Sequence, residues 1–105
     1  MEQINYKVYI GIDVSKAKLD IKYDDSNSLL TIINQVEDFK KLNPYFPSDK
    51  SSVLVILEAT GGYETAIVKW LLSRNIPIAV VNAKRVSIIL IFDGLQVNLN
   101  DGQTH

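Results

Sequence analysis

The chain has no cysteine, and its only histidine is the last residue, His105. Those two counts exclude disulfides, thiolate metal sites, a cysteine nucleophile and a histidine-based triad. No stretch approaches the roughly 18 consecutive apolar residues that a membrane span requires. The amino-terminal MEQINYKVYI lacks the basic region, apolar core and cleavage site of a secretion signal, so the expected compartment is the cytoplasm, with no membrane partner. An excess of one charge sign is missing too. With 11 basic against 12 acidic residues, the formal charge of -1 provides no global field for nucleic acid, and such contacts would need a local patch. What is present is ordinary for a globular protein: 47% hydrophobic and 22% charged residues, which excludes disordered and collagen-like chains. A length of 105 residues suits a single domain spanning 1–105. Any function must fit on that domain or be completed by partners.

Alternation marks the first strands. In YKVYIGIDV, Tyr6, Val8, Ile10 and Ile12 alternate with Lys7, Tyr9, Gly11 and Asp13, the period of a strand with two unlike faces. SKAK turns the chain, LDIKY alternates again, DDSNS is a second turn, and LLTIINQ reads as a third strand, giving a meander. In VEDFKKLNPYF, Val36, Phe39 and Leu42 stand at helical spacing and Pro44 and Pro47 close the helix. Val53 to Leu57 is apolar without alternation, the pattern of a central parallel strand buried on both faces. After TGG, the spacing predicts a helix over 63–74 with Tyr63, Ile67, Trp70 and Leu71 on one stripe. IPIAVVN completes a strand, helix, strand unit. The segment 86–92 fits a helix or a strand equally, because its β-branched residues would wrap all sides of a helix. LQVNLNDGQTH shows no clear element. The expected fold is α/β, a mixed five-stranded sheet of order 3-2-1-4-5 with flanking helices.

Two carboxylates stand out. Asp13 ends the first strand and Glu58 ends the strand VLVILE; if these strands are parallel neighbours, both acids project at the carboxyl edge, where open α/β sheets place their sites. Two hard oxygen ligands suit Mg²⁺ or Mn²⁺ with waters and phosphate oxygens completing the shell, and the chemistry that follows is displacement at a phosphodiester. Taken alone, each acid is better explained by the turn it precedes; together, at the ends of two apolar strands, they stand evenly between a turn role and a site. TGG lacks the Walker pattern, so its glycines serve a tight turn. Lys16, Lys84 and Arg85 are the candidate contacts to nucleic-acid phosphates, weighed against an ordinary solvated surface.

GIDVSKAKLDI and LEATGGYETAIVKWLLSRNIPIAVVNAKRV together resemble the amino-terminal catalytic domain of a bacterial insertion-sequence transposase family with a RuvC-like, RNase H-type fold and a DEDD acidic tetrad. The resemblance covers about residues 8–86 and leaves 87–105 as a divergent tail. It implies that Asp13 and Glu58 are the first two acids of the tetrad and bind a divalent metal. It also implies DNA as substrate, transposition by strand cleavage and transfer, and a guide RNA encoded by the element. The family's third and fourth acids lie in a Lys-Thr-Asp-x-x-Asp-Ala block. Here the corresponding region reads GLQVNLNDGQTH, the third acid falls on Asn100, and neither Asp93 nor Asp101 is in register. The family's second domain, with its serine nucleophile, has no counterpart. The chain thus reads as a truncated copy, incomplete at the carboxyl end of its fold, that binds metal weakly and cleaves little or not at all.

Two other functions compete. An ATP-binding domain of the actin and sugar-kinase kind also starts with a Gly-Ile-Asp strand and turn, but it needs two lobes where this chain has room for one. A non-enzymic module derived from a transposase would act by self-association or by pairing with the intact enzyme. The uncharged SIILIF segment predicts burial against another chain.

Overall fold

The structure is a computed structural model that describes residues 6–23, 29–82, 87–92 and 95–98. Its strands are β1 (Val8–Val14), β2 (Lys18–Tyr23), β3 (Leu29–Ile33), β4 (Val53–Glu58), β5 (Ile78–Asn82), β6 (Ser87–Phe92) and β7 (Leu95–Asn98). There are two helices, α1 (Val36–Phe39) and α2 (Thr65–Ser73), and short 3-10 segments at Lys40–Tyr45 and Lys50–Ser52 lead from α1 to β4. All seven strands form one mixed sheet of order β3-β2-β1-β4-β5-β6-β7. β1, β4 and β5 run parallel, while β2, β3, β6 and β7 pair antiparallel to their neighbours.

The expected five strands stand in the expected relative order, but the sheet does not stop at β5. Segment 87–92 is a strand paired with Ile78–Asn82, and Leu95–Asn98, where the sequence shows no element, pairs with it in turn. β-branched Ile88, Ile89 and Ile91 suit this pleated surface better than a helix. Among the described residues no helix is long and apolar enough to cross a membrane.

Among the described residues, helices cover one face of the sheet; on the other face the paired Ala79 and Leu90 are buried as well. Ile10, Ile12, Leu19, Ile21, Val53, Val55, Leu57 and Ile78 point toward α1, α2 and the 3-10 segments, where Phe39, Leu42, Ile67 and Leu71 close the core. The opposite face carries Tyr9, Ile33, Ile56, Ile88 and Val97, each more than a third exposed. β4 therefore departs from the expected burial on both sides. Its burial alternates, with Val53, Val55 and Leu57 inside and Ile56 and Glu58 outside, because among the described residues no helix lies on that side.

The helices also correct the reading of the sequence. α2 starts at Thr65, and Tyr63 lies outside it and is half exposed. Ile67 and Leu71 are fully buried, whereas Trp70 is only partly so. Its ring meets Phe39 and Phe46 edge-on or tilted, and the Arg74 guanidinium sits 4.2 Å from its centroid. At the other end Ile76 N–H donates to Leu71 O and Asn75 N–H to Leu72 O, with Asn75 at φ 60. This is the Schellman closure, sealed by the buried contact side of Ile76. The helix read from VEDFKKLNPYF is a single α turn continued as a 3-10 segment that contains Pro44. Phe39 and Leu42 are buried as their spacing predicts, while Val36 is exposed.

Candidate functional site

The carboxyl edge of the parallel strands is built by register. β1 and β4 pair from Val8 with Val53 to Ile12 with Leu57, so the next step of that ladder sets Asp13 beside Glu58. Neighbouring strands lie about 4.8 Å apart and residues abreast share a face, so both carboxylates rise from the uncovered side of the sheet. Both are exposed. They line one open depression of about 640 Å³ together with Gly11, Asp20, Lys22 and Ile56.

Gly11 forms the floor. No atom lies within 4 Å of where its Cβ would be, so the missing side chain leaves the depression open rather than relieving a clash. Asp20, which the sequence reading passed over, stands opposite Asp13 on β2. Thr31 Oγ1 donates to its Oδ1 at 2.7 Å, which draws Asp20 toward β3. Its place was available from the hairpin: once Ser15 N–H donates to Lys18 O across the turn, counting back along both strands brings Asp13 to Asp20. Among the described residues, no three acidic, imidazole or thiol groups cluster closely enough to hold a metal ion. Asp13 and Glu58 are the two carboxylates at this edge that could hold a divalent ion, most of whose shell would then be left to water or phosphate oxygens.

The loop after Glu58 is held from within. Gly61 and Gly62 adopt φ 77 and 117, a left-handed region open to glycine, and this is the conformation for which TGG is needed. Glu64 Oε1 accepts from Thr60 N–H at 2.9 Å, Thr60 Oγ1 at 2.8 Å and Gly62 N–H at 3.1 Å. Burial pushes the Glu64 carboxyl upward, but these hydrogen bonds outweigh it and the net shift is downward. Because its own carboxylate occupies the amides of the turn, TGG does not cradle a phosphate.

On the helix-covered side of the same edge lies a second cavity, of about 630 Å³. Lys16, from the β1–β2 turn, lines it with Asn34, Tyr63, Thr65, Lys69 and Trp70. Sequence reading proposed Lys16 but not the others, since Lys69 and Tyr63 come from an element distant in the chain. Asn34 braces the walls: its Nδ2 donates to Ser15 O at 2.9 Å and to Tyr63 O at 3.0 Å, tying the turn after β1 to the loop after β4. Lys84, Arg85, Asp93, Asn100 and Asp101 lie outside the described residues.

Compared with known proteins, the chain matches no family model, and no curated relative is found for it.

Proposed function

We propose that this chain is a metal-dependent phosphodiester-processing domain of the RNase H-like kind, derived from the insertion-sequence transposases it resembles. The observation that carries this reading is the parallel register of β1 and β4 up to Ile12 and Leu57, one residue before Asp13 and Glu58, which line one depression at the carboxyl edge. The relative order of the first five strands supports it. In the mechanism, Asp13 and Glu58 present oxygen ligands on the open face, and Gly11 leaves room between them and Ile56 for a phosphate to approach. A divalent ion held there would polarise a phosphoryl oxygen and stabilise the charge of in-line displacement. With two carboxylates, the site binds weakly and cleaves DNA feebly unless a partner supplies further acids. Guide RNA, where the element encodes one, would be a partner of the same assembly.

The test is paramagnetic. Mn²⁺ added to labelled protein should broaden the amide signals of Ile12, Asp13 and Leu57 before those near Glu37 and Asp38. Uniform broadening at all surface acids would refute the site.

The open sheet face favours a second, non-enzymic reading. On that face Tyr9, Ile56, Ile88 and Val97 expose apolar side chains on β1, β4, β6 and β7, beside the charged groups of Asp13, Asp20, Lys22 and Glu58. A second copy of the chain would cover it, in line with the self-association expected from the sequence. In that reading the SIILIF segment contributes through its side chains, because its backbone is already paired on both sides.

A further inference from the structure

The cavity between the β1–β2 turn and α2 differs in sign from the acidic depression. Its wall carries Lys16 and Lys69 and no carboxylate, and among the described residues neither lysine forms an ion pair. Two unneutralised ammonium groups facing one concave space attract an anion. Its volume of about 630 Å³ lies in the range of small-molecule sites.

The wall is also aromatic. Arg74 already covers one face of Trp70, whereas Tyr63 is 49% exposed and its ring has no ring partner among the described residues. A free aromatic face beside paired cations suits a ligand that joins a flat ring to a phosphate. Asn34 fixes the geometry of the wall, because its Nδ2 donates both to Ser15 O in the β1–β2 turn and to Tyr63 O.

We infer that this cavity binds a nucleoside phosphate unit, with the phosphate on Lys16 and Lys69 and the base against Tyr63. The unit is either a free nucleotide or one link of a nucleic-acid strand. The inference does not require a metal at Asp13 and Glu58, because no group is shared between the two sites.

Trp70 is the chain's single tryptophan and lines the cavity, so its fluorescence responds to occupation of this site. The experiment titrates the full chain, in EDTA, with AMP, adenosine, inorganic phosphate and a twelve-nucleotide oligoadenylate. Saturable change with AMP or the oligonucleotide is expected, with adenosine and phosphate roughly tenfold or more weaker, since each offers half of the contacts. Tighter binding of the oligonucleotide than of AMP assigns the unit to a strand, and equal binding assigns it to a free nucleotide. The double variant Lys16→Gln/Lys69→Gln should weaken binding about tenfold or more with an unchanged circular dichroism spectrum, as both side chains are exposed. Asp13→Asn/Glu58→Gln should leave binding in EDTA unchanged, even if the metal reading fails. No saturable change with either nucleotide probe, or affinity in the lysine variant within twofold of wild type, overturns the inference.

Discussion

Truncating Leu71 should destabilise the chain more than truncating Trp70, although tryptophan is the larger side chain. Leu71 is fully buried in the layer between α2 and the sheet, beside Ile67 and Ile76. Leu71→Ala removes its transfer free energy and leaves an enclosed cavity, at a cost of about 3 kcal/mol within the usual 2–5. Trp70 is only partly buried, and the space it vacates opens to solvent. Trp70→Ala forfeits the contacts with Phe39 and Phe46 and the Arg74 cation-π interaction, but seals no void. Roughly half the ~3–5 kcal/mol of a fully buried aromatic, or about 2 kcal/mol, is expected. The difference of about 1 kcal/mol separates the two melting temperatures by roughly 4–8 °C. Far-UV circular dichroism is the appropriate assay, because Trp70→Ala removes the chain's only tryptophan. Equal melting temperatures, or a less stable Trp70→Ala, would mean that α2 is rotated and presents Trp70 to the sheet.

Acid should weaken the fold at Asp38. Its carboxylate accepts from Ile33 N–H at 3.0 Å and from Lys41 Nζ at 3.2 Å; the backbone bond, aided by Lys41 and opposed by burial, holds it below the usual range. A folded pKa below the unfolded value contributes stability at neutral pH that is lost as pH falls from about 4 through the folded value. Urea midpoints of Asp38→Asn should therefore fall less steeply below pH 4 than those of wild type. Gly11→Val should fold with unchanged or raised melting temperature, since nothing obstructs its Cβ and valine suits a strand, while obstructing the acidic depression. A lower melting temperature would show that the depression is occupied by the protein itself. The open face, about 30 Å wide and 17 Å tall from strand spacing and rise, would remove on the order of 1,000 Å² between two copies, near the threshold for a specific interface. Sedimentation should show association that rises with concentration and is lost in Ile56→Lys, whereas a monomer at every concentration would remove this reading.

That β1 and β4 are parallel neighbours, ending near Asp13 and Glu58, was legible in the sequence because both strands are apolar and each acid precedes a turn. The sequence did not expose the open face. The apolar run Val53–Leu57 has the same composition whether one side or both are covered, and only the absence of a second layer in the described structure distinguishes them. Segment 87–92 stayed ambiguous for a related reason: its apolar residues carry no period, and the antiparallel partner that decides for a strand, Ile78–Asn82, lies earlier in the chain. Asp20 becomes legible only when the hairpin register is counted back from the turn, whereas the Lys16 and Lys69 cavity is hidden by the distance in sequence between its walls. Trp70 shows the limit of helical spacing, which places a residue on the inner half of a helix but does not say how far the neighbouring layer extends.

The central claim is that Asp13 and Glu58 act together on a divalent ion, and isothermal titration with Mn²⁺ tests it most directly. Wild type should bind one ion weakly, and Asp13→Asn and Glu58→Gln should each abolish that binding, since one carboxylate leaves too few ligands for a specific site. The double variant should be no worse than either single variant, because the two residues serve one ion. Undiminished Mn²⁺ affinity in Asp13→Asn would contradict the account.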